Sequence, residues 1–124
     1  NLVVTAGKNW VASRMQGVSN GVMTHMGIGT GTTAAAAGNT ALATEAARVA
    51  LTTSGGAVTT NVITFTATIP ADTPNVTAPA TAAITEAGVF NASSSGTMLC
   101  RTVFAAVNKG ELDTMTISWD VTIS

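Results

Sequence analysis

The amino-acid sequence predicts an all-β fold: a β-sandwich or jelly-roll-like single domain over residues 1–124, with a short N-terminal helix. Two segments alternate apolar and polar residues with a period of two, which is typical of strands with one buried face. Several other short β-rich runs are separated by turns rich in Gly, Ser and Asn. The length of 124 residues suits one hydrophobic core and leaves no room for a second.

The first fifty residues predict a helix and two strands. The helix is expected to begin at Thr5, whose hydroxyl can cap it, and to end at Gly17. One strand is expected over Met23–Ile28 and another over about Ala47–Thr53. The segment that leads to Glu45 is rich in alanine, so that a loop and a short helical turn both remain open.

The clearest strand patterns lie in the middle of the chain and at its C-terminal end. In the first, apolar residues occupy every second position from Ile63 to Ile69, and Pro70 then opens a loop. In the second, apolar residues alternate with Thr, Ser and Asp from Met115 to Ile123. Both segments are predicted to be strands with one buried and one solvated face.

Two further β-rich runs flank the turn Ala92–Ser95 and predict a β-hairpin. If Asn91 pairs with Gly96, then Glu86 lies directly opposite Arg101, where opposite charges stabilise a strand pair. Such a pair is either an exposed contact of little value or a partly buried pair that orders the hairpin. The scarcity of other charges favours the second interpretation. The same register pairs Val89 with Met98 and Ala87 with Cys100.

Charged residues make up only 9% of the chain and leave a net charge of -1, whereas about a quarter of the residues are charged in ordinary globular domains. No run of like charges exists, which argues against nucleic-acid binding and against a basic membrane-binding patch. No apolar run reaches the roughly 18 residues that a membrane span needs. So neutral a surface either contacts another protein or is solvated by Thr, Ser and Asn, and we favour the first.

The segment Gly27–Gly38, GIGTGTTAAAAG, resembles a phosphate-binding loop at first sight. A P-loop needs a lysine at its end, yet no lysine follows before Lys109, and the third glycine of the dinucleotide fingerprint is also missing. We therefore expect no nucleotide and instead a flexible, uncharged loop over Gly29–Gly38. Its predicted contact residues for a neighbouring subunit are Thr30, Thr32 and Thr33.

The residue types that catalysis and metal binding need are scarce. His25 and Cys100 are each the only residue of their kind, and they are expected to be a hydrogen-bonded strand residue and a small core residue. Glu111 could form an acid pair only with Asp113 or Asp120, in a turn or on a solvated strand face. The sequence therefore predicts no enzyme, no metal site and no cofactor.

Several strings, taken in order, resemble small virion structural proteins of tailed bacteriophages. The most specific are ITEAGVFN, GTMLCRTVF and the strand TISW, with TALATEAAR as a second marker. The resemblance covers the chain from about Trp10 to Ile123. Its matching residues are Glu86, Gly88 and Arg101, which we interpret as fold-defining, and Glu45 and Arg48, which are expected to form a second local pair.

The resemblance implies a capsid decoration, or cement, protein on the outer surface of the virion. Its partners would be the major capsid protein and copies of itself, with a homotrimer expected. Residues 1–5 would form an extended arm that adds a strand to a neighbour's sheet through Leu2, Val3 and Val4.

Two alternatives to a decoration protein remain open. One is a tail-fibre or baseplate-associated attachment module. The other, a carbohydrate-binding sandwich, is disfavoured because the chain has no tyrosine and because Trp10 and Trp119 are predicted to be core residues.

Overall fold

The computed structural model describes residues 1–17 and 21–124 and consists of two antiparallel sheets with one short N-terminal helix. The predicted all-β, sandwich-like single domain is therefore confirmed. The elements are β1 (Leu2–Val3), α1 (Thr5–Gln16), β2 (His25–Gly29), β3 (Glu45–Ala50), β4 (Ala57–Thr59), β5 (Val62–Ile69), β6 (Thr81–Phe90), β7 (Met98–Gly110) and β8 (Met115–Thr122).

The larger sheet has the strand order β1-β7-β6-β2-β3, and the smaller sheet has the order β4-β5-β8. The main core takes side chains from both sheets, because each alternating strand turns its apolar residues toward the other sheet. The two strongest sequence patterns, now β5 and β8, contribute Phe65 and Trp119 to this core, as predicted. Trp10, also predicted to be a core residue, is only half-buried and packs at the margin of the core.

The other face of the larger sheet is covered by the loop of residues 30–44, which joins β2 to β3. Leu42 of this loop is buried with Phe90 and Met98 in a second, smaller apolar cluster. A Cβ placed on Gly27 or on Gly88 would lie 3.2 or 3.1 Å from a Leu42 methyl carbon. The two glycines therefore leave the space into which Leu42 packs.

Helix α1 begins and ends for reasons that the sequence reveals only in part. The predicted Thr5 cap is wrong: the N-cap is Val4, and no side chain caps the helix. Val4 is fully buried, and the Thr5 N–H donates to the carbonyl of Ala37 in the loop of residues 30–44, so that tertiary contacts replace the cap. Gly17 does end the helix, with a φ of 87° that glycine adopts easily.

Strands β2 and β3 lie close to their predicted positions, and the alanine-rich segment before Glu45 is a loop without a helix. A register irregularity after Ile28 leaves Ala46 as an extra residue in β3. As a result, Glu45 lies opposite Gly29, and Arg48 lies opposite Gly27, so that both charged side chains share one face of the sheet.

The predicted register of the hairpin is wrong by two residues. Val89 pairs with Cys100 instead of Met98, and Glu86 pairs with Val103 instead of Arg101. One residue of the shift comes from a longer turn, and the other comes from a bulge in the ladder between Val89 and Phe90. Because the side-chain period of a strand is two, a shift by two residues leaves Glu86 and Arg101 on one common face, as predicted. Met98, which pairs with Phe90 before the bulge, lies instead on the face opposite to that of Val89.

The N-terminal segment also departs from its prediction. Leu2 and Val3 form β1 and pair with Arg101 and Cys100 on the edge of the larger sheet of the same chain. Residues 1–5 are therefore not a free arm in this structure, because their backbone already has an edge to pair with.

Candidate functional site

Within residues 1–17 and 21–124, the carboxylate of Glu86, in the middle of β6, accepts more hydrogen bonds than any other side-chain group. Its side chain is fully buried. Oε2 accepts the backbone N–H groups of Gly31 at 2.9 Å and Thr44 at 2.8 Å, and Oε1 accepts that of Ala43 at 2.8 Å. One buried carboxylate thus holds both ends of the loop of residues 30–44.

The guanidinium of Arg101, from β7, completes this cluster. Its Nε and Nη2 donate to Glu86 Oε1 at 3.1 and 3.0 Å, and only 1% of the side chain is exposed. Nη2 also donates to the Thr33 carbonyl at 2.8 Å, and Nη1 donates to Asn39 Oδ1 at 3.0 Å. The structure therefore brings Glu86 and Arg101 together, as diagonal rather than directly opposite neighbours.

The pKa of Glu86 lies below its ordinary value. Burial by itself raises the pKa of this carboxyl group, because it disfavours the charged form. The hydrogen bonds from the backbone of Thr44 and Ala43, from Arg101 and from the backbone of Gly31 outweigh the effect of burial. The group is therefore a buried anion at neutral pH, compensated by the adjacent guanidinium.

Two glycines of the GIGTG segment are required by this carboxylate. A Cβ on Gly29 would lie 2.6 Å from Glu86 Oε2 and would also clash with the Thr44 carbonyl. A Cβ on Gly31 would clash with the same Glu86 oxygen and would lie 2.6 Å from the Ala43 side chain. The segment that resembles a phosphate loop therefore surrounds an anion after all, but the anion is a side chain of the protein.

Glu45 and Arg48 form a second ion pair, partly exposed, at the edge strand β3. Arg48 donates from Nε and Nη2 to the two Glu45 carboxylate oxygens at 2.8 and 2.6 Å. Its Nη1 donates to the carbonyls of Ala92 and Ser95 in the β6–β7 turn, and its guanidinium lies 3.6 Å from the ring centroid of Phe90. This second pair, which the structure also brings together, anchors the hairpin turn.

A third group of charged residues anchors the loop of residues 70–80. Lys109 is 2% exposed and donates from Nζ to the Pro70 carbonyl at 2.8 Å. Glu111 accepts the Ala78 N–H at 3.0 Å, and Asp113 accepts the N–H of Gly110 at 2.7 Å.

The three acids considered for a pair from the sequence each bind another group. Glu111 and Asp113 are each bound to backbone, and Asp120 instead accepts a hydrogen bond from Thr64 Oγ1 at 2.6 Å. Among the described residues, no three His, Cys, Asp or Glu side chains are placed to hold a metal ion.

His25 and Cys100, the one histidine and the one cysteine of the sequence, lie where the sequence predicts. His25 is a residue of β2, and its Nδ1 lies 2.8 Å from Thr24 Oγ1. Cys100 is buried in the main core, and burial raises the pKa of its thiol to about 12. The thiol is therefore protonated at neutral pH and makes a poor nucleophile.

The predicted interface residues differ in how far their side chains are exposed. Val4 is fully buried within its own chain and is not an interface residue, because it packs in the second apolar cluster. Leu2 and Val3 are half-buried in β1. The side chains of Thr30, Thr32 and Thr33 are exposed. The loop backbone that carries them is bound by Glu86 and Arg101.

Two strand edges border an open groove on one side of the sandwich. Strand β8 ends the smaller sheet, and most of β7 lies beyond the reach of the two-residue β1. The groove between them measures about 450 Å³. Its apolar lining includes Phe104, Val107, Met115, Ile117 and Trp119.

Comparison with known proteins does not assign the chain to a family. No protein-family model matches it, and no curated protein matches it significantly. In the part of the chain that the structure describes, no helix has the length and the hydropathy to cross a membrane.

Sequence reasoning predicted the charged pairs but missed what they bind. Asn39 and Lys109, which hold carbonyl or guanidinium groups inside the fold, were not singled out at all. The sequence could not single out the backbone N–H groups of Ala43 and Thr44, because every residue except proline has such a group. The only indication of the site in the sequence is the pair Gly29 and Gly31. Glycines at these positions indicate that another group lies close to the backbone, but they do not identify that group.

Proposed function

We propose that this chain is a non-catalytic structural protein of a tailed-bacteriophage virion, and that it decorates the outer surface of the capsid. The observation that carries the proposal is that several charged residues bind groups inside their own chain. Both arginines of the sheets, together with Glu86, Lys109 and Glu111, bind loops of their own chain. The charged residues that are exposed are Lys8, Arg14, Glu45, Asp72, Asp113 and Asp120. The other exposed residues of the described chain have uncharged side chains, which suits a surface that packs against other subunits.

The loop of residues 30–44 is the contact surface that we favour for the major capsid protein. It presents Thr30, Thr32 and Thr33 to solvent on a backbone that two buried side chains hold. A loop that is already ordered loses little conformational entropy when it binds, so that even a modest contact is useful. Repeated over a shell, such contacts add their strength through avidity.

Copy number tests the proposal directly. Purified particles are analysed by quantitative mass spectrometry, with the major capsid protein and a tail protein of the same particles as standards. A decoration protein is expected in near-stoichiometric ratio to the major capsid protein. A few copies per particle would contradict decoration and would support the alternative of a tail-fibre or baseplate attachment module.

A binding assay tests the contact surface. Particles that lack the protein are incubated with the wild-type chain, with Thr32→Glu, or with Thr68→Glu as a matched control on the exposed face of β5. We expect Thr32→Glu to weaken binding and Thr68→Glu to have little effect. Equal binding by both variants would show that the loop is not the contact surface.

A further inference from the structure

Strand β8 is an edge strand without the usual protection against pairing. It is eight residues long, and its register with β5 is continuous from Met115 to Thr122. It contains no proline, no lysine and no bulge, which are devices that keep natural edges apart, and its one charged residue, Asp120, accepts a hydrogen bond from Thr64 of β5. An edge of this kind is typical of a strand that pairs with another chain.

The direction of the free backbone groups follows from one hydrogen bond. The Ile123 N–H donates to the Asn61 carbonyl at 2.8 Å, on the side of β5. Since successive N–H groups of a strand point to opposite sides, those of the even-numbered residues point away from β5. The free edge of β8 therefore presents the N–H and carbonyl groups of Thr116, Ser118, Asp120 and Thr122.

Charges of opposite sign flank the two ends of this edge. Lys8 lines a groove with Thr122 and Ile123 at the C-terminal end of β8. Asp113 lies two residues before the N-terminal end, in the turn that precedes Met115. An antiparallel neighbour brings Lys8 of each copy beside Asp113 of the other, whereas a parallel neighbour brings like charges together.

We propose that β8 pairs in antiparallel orientation with β8 of a second copy of the chain. The register that uses all four free pairs of N–H and carbonyl groups places Trp119 opposite Trp119 of the second copy. It also places Ser118 opposite Asp120 of the second copy, so that the two aspartates are diagonal rather than directly opposite neighbours.

The same register covers apolar surface on the inner face. Met115 is half-buried, and Ile123 is 59% exposed in the single chain. Pairing places Met115 of each copy opposite Ile123 of the other, and cross-strand apolar pairs stabilise a sheet. The two smaller sheets thus join into one continuous sheet of six strands.

This contact closes on itself as a two-fold dimer, which differs from the trimer that the sequence resemblance implies. It goes beyond the decoration role, because it depends only on the geometry and charge of the β8 edge. Its test measures association of the purified chain in solution, so that it can succeed or fail independently of copy number on the capsid.

The first experiment measures the association of the purified chain by sedimentation and light scattering over a range of protein concentrations. We expect a concentration-dependent dimer that weakens at high salt, since screening reduces the two charge contacts. Ser118→Pro removes an N–H that β5 does not use and should leave a folded monomer. A chain that stays monomeric up to millimolar concentration, or a dimer unchanged by Ser118→Pro, would overturn the proposal.

The second experiment exchanges the charges and remains decisive if the proline variant does not fold. Lys8→Glu and Asp113→Lys should each weaken the dimer about tenfold, because each disrupts two symmetric contacts. The double variant should restore the affinity, and Arg14→Glu, on the same helix but six residues away, should have little effect. Failure of the double variant to restore the affinity would overturn the antiparallel arrangement.

Discussion

At the scale of single residues, the ion pair of Glu86 and Arg101 owes its importance to the backbone it binds. A buried pair of charges alone gains little, because desolvation offsets the attraction between them. Here the carboxylate also satisfies three backbone N–H groups, and the guanidinium satisfies a carbonyl and an amide oxygen. Removal of either partner leaves several buried polar groups without a partner at once.

Glu86→Gln tests this cost. The substitution keeps the size of the side chain but removes the charge. It also replaces one carboxylate oxygen by an amide nitrogen, which cannot accept a hydrogen bond from the loop. We expect the free energy of unfolding to fall by about 3–5 kcal/mol, as when one partner of a buried pair is lost. Chemical denaturation measures the change.

Glu45→Gln is the matched control, since the Glu45 side chain is 31% exposed in its own pair with Arg48. We expect a loss of about 1 kcal/mol or less at this partly solvated position. Equal losses in the two variants would contradict the central position given to Glu86.

Cys100 provides a second prediction at this scale. Its thiol is buried, and burial raises its pKa to about 12, so that hardly any thiolate exists at neutral pH. We expect iodoacetamide to modify the native chain very slowly at pH 7.5 and the denatured chain rapidly, as followed by mass spectrometry. Fast modification of the native chain would mean that the β7 strand opens readily around Cys100.

At the scale of elements, the loop of residues 30–44 behaves as a part of the sheet that it covers. The sequence predicts a flexible loop, because its Thr, Ala and Gly residues have no pattern of their own. The structure instead ties it to the sheet at Gly31, Thr33, Asn39 and Thr44. Its order therefore comes from partners that lie about forty to seventy residues away in the chain.

Gly31→Ala tests whether close packing against Glu86 holds the loop. The added methyl group would clash with the carboxylate and with Ala43, so that we expect a loss of about 1–3 kcal/mol, as in overpacked cores. Gly38→Ala is the control within the same loop, because a Cβ there meets nothing within 4 Å. Thermal and chemical denaturation measure the stability of both variants. Equal free energies of unfolding would contradict the packing argument.

At the scale of the whole molecule, six of the eleven charged residues hold three loops or turns in place. One pair holds the loop of residues 30–44, another holds the β6–β7 turn, and Lys109 with Glu111 holds the loop of residues 70–80. A sandwich with such long connections needs ordered loops, and buried charged groups supply strong hydrogen bonds to carbonyl and N–H groups. Dependence on them makes the stability of the molecule sensitive to acid.

The pH dependence of stability follows from the lowered pKa of Glu86. A carboxyl group whose pKa is lower in the folded than in the unfolded chain stabilises the fold above its unfolded pKa. That contribution is lost as the pH falls from the ordinary value of 4.5 through the lowered folded value. We expect the unfolding free energies of the wild type and of Glu86→Gln to converge as the pH is lowered from 7 to 3.

Urea denaturation at a series of pH values measures this convergence. Glu45→Gln again serves as the control, and its difference from the wild type should change much less over the same range. A difference between the wild type and Glu86→Gln that stays constant from pH 7 to pH 3 would contradict the assignment.

The sequence by itself determined the fold class and the two strongest strands, because alternation is a local signal, and it determined the pair of Glu86 and Arg101, because charges are scarce. The pair of Glu45 and Arg48 was expected only from the resemblance. The sequence also determined the face on which Glu86 and Arg101 meet, since a register error of two residues preserves faces. Only the tertiary structure decided the true register, the burial of Val4, the pairing of Leu2 and Val3 within the chain, and the anion that the glycines surround. These features depend on a bulge and on backbone N–H groups that are distant in sequence, and neither can be recognised from the residue types.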